Sequence, residues 1–122
     1  MDSNGYVENA IMQHGAVRAV HGWLDEGQDY RYVCVFHSSK PYLFKIVYRP
    51  ARLDLAQAGL SGRGFVAEIV YGADKITAAL PLLEPAAALV LLEDVTMAGT
   101  LVCKEAVQHA LTAAYERRLG AA

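Results

Sequence analysis

The sequence predicts an α+β domain with an antiparallel sheet of about four to five strands. A central hairpin (30–37, 41–49) organises this sheet, and a short N-terminal helix and a long C-terminal helix pack on it. Two observations carry the prediction. Both arms of the hairpin are dense in β-branched and aromatic residues and flank a turn-forming segment. The last twenty residues repeat apolar side chains at helical spacing. A chain of 122 residues fits one globular domain, 1–122.

The central hairpin is predicted to have two chemically different faces, because side chains alternate along a strand. The aromatic face, which we expect to face the core, comprises Tyr30, Tyr32, Cys34, Phe36, Tyr42, Phe44, Ile46 and Tyr48. The other face has a basic fringe around an aliphatic centre and comprises Arg31, Val33, Val35, His37, Leu43, Lys45, Val47 and Arg49. This second face is either partly covered by a helix of the protein or available to a partner.

The N-terminal segment is predicted to be a short helix that Ser3 or Asn4 caps and that runs to about Gln13. Its apolar face would consist of Val7, Ala10 and Ile11. Gly15 suits a helix C-terminus. Residues 16–24 fit either a continuation of this helix or a strand. We favour the strand, because the polar segment that follows has the length of a hairpin loop.

After the hairpin, Pro50 prevents a central strand from continuing. Residues 51–58 are predicted to form a short helix, 65–71 a strand, and 76–80 a last strand after a tight connection at 72–75. Residues 86–92 are an apolar run that periodicity does not assign. Pro85 and the Ala/Leu content favour a helix there, while a buried strand stays open.

The C-terminal helix is predicted to follow a break at 96–100 and to continue to about Leu119. Its apolar stripe would consist of Cys103, Ala106, Val107, Ala110, Leu111 and Ala114. Arg117 and Arg118 fall in the last turn, where cations suit the helix dipole. This helix is expected to pack on the sheet.

Composition excludes several classes of function. The formal net charge of −2 argues against nucleic-acid binding, which depends on a basic surface. The sequence contains no apolar segment long enough to span a bilayer, and its start lacks the basic-then-apolar order of a signal peptide. We therefore expect a cytoplasmic protein without a membrane partner. Cys34 and Cys103 are then expected to be reduced, buried thiols.

No residue pattern predicts catalysis, a metal or another cofactor. Cys34 and His37 would point to opposite faces of a strand, and Cys103 and His109 would diverge by roughly 120° on a helix. Neither pair has the spacing of a structural zinc site. Ser38 follows His37, but no Gly-x-Ser-x-Gly elbow is present. We therefore do not expect an enzyme.

The sequence is best interpreted as a small protein-interaction module: an inhibitor, an immunity-type protein, an adaptor or a chaperone-like protein that binds another protein. The candidate binding residues are Arg31, His37, Lys40, Lys45 and Arg49 on the mixed face and loop of the hairpin. Self-association as a homodimer would also fit, because few charges cover so much apolar surface. The alternative is a small enzyme or small-molecule binder with a cavity between the sheet and the C-terminal helix.

Overall fold

Seven described strands close into a barrel, so the predicted α+β class with an antiparallel sheet of about four to five strands is wrong. The computed structural model describes residues 4–37, 40–70, 87–93 and 96–121. The described strands are β1 (Gly5–Gln13), β2 (Ala16–Leu24), β3 (Tyr32–His37), β4 (Lys40–Tyr48), β5 (Arg63–Ile69), β6 (Ala87–Leu91) and β7 (Met97–Cys103). The described helices are α1 (Leu53–Gln57) and α2 (Glu105–Ala121). The strand order is β1-β2-β5-β4-β3-β6-β7, and parallel pairing of β7 with β1 closes the barrel.

The predicted N-terminal helix is wrong because strand β1 contains a bulge. The pairing of β1 with β2 shifts between Val7 and Asn9. The extra residue changes the alternation of side chains, so that Val7 and Ala10 both pack with the barrel interior although they are three residues apart. A bulged strand therefore reproduces the apolar spacing of a helix.

The turn after β1 explains the glycine that suggested a helix end. Gln13 pairs with Ala16, and the two residues between them, His14 and Gly15, have φ angles of 53° and 79°. Two consecutive positive φ angles are the requirement of a two-residue hairpin turn of type I′. The strand favoured for residues 16–24 is confirmed as β2.

The favoured helix at 86–92 is wrong, and strand β6 occupies this segment. Four consecutive residues, Ala88, Leu89, Val90 and Leu91, have no exposed surface. A strand that is buried on both faces is apolar at every position and therefore has no alternation to recognise. The predicted break at 96–100 is also wrong, because β7 runs through it.

The central hairpin is confirmed as β3 paired antiparallel with β4, but its predicted faces are wrong. Tyr32 pairs with Lys45 and Val33 with Phe44, so the aromatic residues of the two strands lie on opposite faces. The inner face includes Val33, Val35 and Phe44 in the main core. The outer face contributes Cys34, Phe36 and Leu43 to a second buried cluster with Leu89 and Leu91.

Two shorter predictions after the hairpin are confirmed. The helix expected within residues 51–58 is α1, and Leu55 is its buried residue. The strand expected at 65–71 is β5, which begins two residues earlier. The connection at 72–75 and the strand at 76–80 lie outside the described residues.

Helix α2 lies across one end of the barrel and not on the face of a sheet. It begins after Cys103, which ends β7 and so does not belong to the predicted helical stripe. Val107, Leu111 and Ala114 join the interior cluster. The helix contacts β1, β2 and β3. Because β3 is not next to β1 or β2 in the strand order, the helix reaches strands from separate parts of the barrel wall. Neither described helix combines the length and the apolar character that a membrane span requires.

Candidate interaction surface

The loop of residues 25–31 closes the end of the barrel opposite α2. It connects the end of β2 to the start of β3, two strands that are not neighbours in the barrel. Tyr30 is only 4% exposed and belongs to the interior cluster, so its ring reaches into the barrel from this loop. An aromatic side chain therefore fills this end of the core.

A polar network holds the Tyr30 hydroxyl. It donates a hydrogen bond to Asp25 Oδ1 and accepts one from Asn4 Nδ2 at 3.2 Å. The same Asn4 amide donates to Asp25 Oδ2 at 3.0 Å, and the Gly27 N–H donates to Asp25 Oδ1 at 3.2 Å. Burial, reinforced by the Asp25 carboxylate, raises the pKa of Tyr30 to about 12. The network therefore joins the start of β1 to the closing loop.

Arg49, one of the predicted binding residues, forms hydrogen bonds to backbone carbonyls in the same region. Its Nε donates to the Gly64 carbonyl at 2.9 Å, and its Nη2 donates to the carbonyls of Leu24 at 3.1 Å and Asp25 at 3.2 Å. Burial lowers the pKa of this guanidinium. Arg49 thus links the end of β4 to the starts of β5 and of the closing loop.

The other predicted binding residues are spread along the hairpin. Arg31 lies at the closed end and forms a 2.9 Å ion pair with the exposed Asp29. Lys45 is exposed and lies opposite Tyr32 on the outer face. The backbones of His37 and Lys40 pair at the other end of the hairpin. Six strand residues span roughly 20 Å, so the five predicted residues do not form one cluster.

Two adjacent large side chains at the end of β4 are exposed on the barrel wall. Val47 is 52% exposed and Tyr48 is 63% exposed, and the register between β4 and β5 shifts between Ile46 and Tyr48. We call this surface the β4 patch: Lys45, Val47, Tyr48, Val66, Glu68 and His21. Tyr48, Val66 and His21 are cross-strand neighbours, and Lys45 is the neighbour of Glu68.

The β4 patch combines apolar and charged side chains on the barrel wall. Val66 and Glu68 of β5 pair with both β4 and β2, so they lie at the centre of the patch, whereas among the described residues Tyr48 of β4 pairs only with Val66. Arg18 borders the patch and forms an ion pair of 3.5 Å with Glu68, in which both side chains are about half exposed (49% and 48%). Tyrosine is enriched among the residues that contribute most to binding at protein interfaces.

Sequence reasoning found Lys45 but assigned Tyr48 to the core, which is wrong. Tyr48 would continue the inward-facing alternation of Phe44 and Ile46, but the register shift turns it outward. No signal in the sequence marks a bulge at this position, because Val47 and Tyr48 are ordinary strand formers. Only the pairing with β5 shows the exposed face.

Two of the depressions among the described residues lie away from α2. One is lined by Gln28, Asp29, Leu92 and Glu93, and the other by residues around the β1–β2 turn. Within the described ranges, no group of three or more His, Cys, Asp or Glu side chains could hold a metal ion. Both cysteines are free, and burial raises the pKa of the Cys34 thiol to about 12.

Fold and surface together define a small closed β-barrel domain with a helix across one end and an apolar and charged patch on its wall. Comparison of the chain with protein-family models, curated proteins and solved structures finds no match. A proposal about function must therefore come from the surface itself.

Proposed function

We propose that the protein is a non-enzymatic interaction module that binds another protein through the β4 patch. The observation that carries the proposal is the exposure of two adjacent large side chains, Val47 and Tyr48, at the end of β4, where Tyr48 pairs with Val66 of β5. Tyrosine contributes a large contact area at a low cost in conformational entropy. An inhibitor, an immunity-type protein, an adaptor or a chaperone-like protein would use such a surface.

The charges of the patch indicate a partner with a mixed surface. Lys45 and Glu68 are cross-strand neighbours of opposite sign, so the patch favours neither a strongly acidic nor a strongly basic partner. This argues for a protein and against nucleic acid, in agreement with the net charge of −2. The cytoplasmic location expected from the sequence stays a prediction.

The test uses the tagged full chain, with the double variant Lys45→Glu/Tyr48→Ala and the matched control Leu53→Ser. Leu53 is 74% exposed and lies outside the patch, on α1. We expect a stoichiometric partner from host lysate to be retained by the wild type and the control. The double variant should bind the purified partner about a hundredfold more weakly than the wild type does. A loss of this size is typical of removing a tyrosine hot spot and a charge contact.

Equal affinity of all three proteins for the isolated partner would contradict the assignment of the β4 patch. Arg49→Glu is unsuitable for this test, because it would remove hydrogen bonds to three backbone carbonyls and disturb the barrel end. The alternative, a small enzyme or small-molecule binder, remains a hypothesis without a supporting observation. Val107 and Leu111 of α2 pack in the region where its cavity was expected.

A further inference from the structure

Strand β1 has an open edge over most of its length among the described residues. Strand β2 pairs with it from end to end, whereas β7 pairs only with Tyr6 and Val7. The ladder with β7 stops where the Lys104 N–H donates to the Val7 carbonyl at 2.9 Å, and α2 begins at the following residue. Residues 9–13 therefore have a described strand on one side only.

Within the described part of the chain, the sequence of this edge has neither of two usual protections against pairing with another chain, and helix α2, which contacts β1, leaves Ile11 and Met12 partly exposed. Native edge strands are commonly interrupted by charged side chains or proline, or are covered. Residues 9–13 read Asn-Ala-Ile-Met-Gln and contain neither a charge nor a proline. Ile11 is 42% exposed and Met12 is 38% exposed. The open edge thus carries large apolar side chains in contact with solvent.

We propose that a second copy of this chain pairs with residues 9–13, antiparallel and about a twofold axis beside Ile11. In this register Ile11 lies opposite its own counterpart, Ala10 opposite Met12, and Asn9 opposite Gln13. Apolar side chains then meet apolar ones and amides meet amides, and the pairing buries no charge. The segment is therefore complementary to itself, which is the requirement of an isologous interface.

The dimer joins the two β1–β2 hairpins into one four-stranded sheet. Backbone N–H and C=O groups on the open edge gain partners, which is the usual source of affinity in strand addition. The proposal depends on the edge of β1 and not on the β4 patch. A result that contradicts dimerisation through β1 therefore does not affect the proposal of partner binding through the β4 patch, and the reverse also holds.

The first test measures molar mass by sedimentation equilibrium as the chain concentration is raised. We expect the wild type to assemble to the mass of two chains. Ile11→Lys places like charges opposite each other at the twofold axis and should raise the dissociation constant of the dimer about tenfold or more. The control Leu53→Lys introduces the same charge at an exposed apolar position on α1, outside the β4 patch, and should leave dimerisation unchanged.

The second test is a cross-link at the axis. Cβ atoms of directly opposed strand residues are close enough for a disulfide after a small adjustment. Ile11→Cys in a Cys103→Ser background should give a covalent dimer on mild oxidation, while Leu53→Cys in the same background should not. Far-ultraviolet circular dichroism verifies that each variant is folded. A one-chain mass at every concentration, or a dimer that resists Ile11→Lys and is not cross-linked through residue 11, would overturn the proposal.

Discussion

At the scale of single residues, the Tyr30 hydroxyl is the polar end of a side chain that is almost completely buried. It bonds to Asp25 and Asn4 while its ring lies in the core. We expect Tyr30→Phe to lower the free energy of unfolding by about 1–2 kcal/mol near pH 8, because a hydrogen bond to a carboxylate is lost. Urea unfolding measures the change, and Tyr48→Phe on the exposed wall is the control that should have little effect.

The same substitution has a pH dependence with a defined sign. The pKa of Tyr30 rises from 10.0 to about 12, so the folded protein holds the neutral phenol more tightly than the unfolded chain does. Its contribution to stability is complete below pH 10.0 and is lost as the pH rises towards about 12. The difference between wild type and Tyr30→Phe should therefore shrink across this interval. A constant difference would show that the phenol does not titrate with the expected shift.

At the scale of elements, close approach between β7 and the start of β1 requires a glycine. A Cβ atom added to Gly99 would lie 2.1 Å from Asn4 Oδ1, which accepts a hydrogen bond from the Thr100 N–H at 3.2 Å. We expect Gly99→Ala to displace Asn4, weaken its bonds to Asp25 and Tyr30, and destabilise the protein by roughly 1–3 kcal/mol.

Gly27→Ala is the matched control for this substitution. A Cβ atom at Gly27 would meet its nearest neighbours at 3.5 Å, an ordinary contact, and the backbone N–H that donates to Asp25 is kept. Thermal or urea unfolding of both variants gives the comparison. Equal stability of the two variants would mean that the strand end relaxes without cost and that Asn4 does not hold the barrel closed.

At the scale of the whole molecule, the barrel and α2 share one core. Leu111 is 1% exposed and belongs to the same buried cluster as residues from the barrel strands. We expect Leu111→Ala to cost about 2–5 kcal/mol, because the lost contacts leave a cavity. His109→Ala, on the exposed face of the same helix, should change stability little.

The same measurement tests whether barrel and helix unfold together. Fluorescence of Trp23, the single tryptophan of the chain, reports on β2, and circular dichroism at helical wavelengths reports on α2. Coincident transitions would indicate one cooperative unit. Loss of helical signal at lower denaturant than the Trp23 transition would contradict a shared core.

Local sequence chemistry determined the elements whose pattern is regular. Alternating and aromatic runs indicated β3, β4 and β5, and the proline after the hairpin marked the place where β4 ends before α1. Residues Val107, Leu111 and Ala114 indicated the buried side of α2. In each case neighbouring residues alone decide the outcome, because periodicity and turn chemistry act over short distances.

Tertiary structure decided the rest. The bulge in β1 gave a strand the apolar spacing of a helix, and burial of β6 on both faces removed its alternation. The register of β3 against β4, the closure of β7 on β1 and the exposure of Tyr48 depend on partners that are distant in the chain. Hydrogen-bond pairing between such partners fixes which face of a strand is buried, and no single segment contains that information. The sequence by itself therefore determined most of the hairpin and the helical end, while the closed barrel and its candidate surface followed only from long-range pairing.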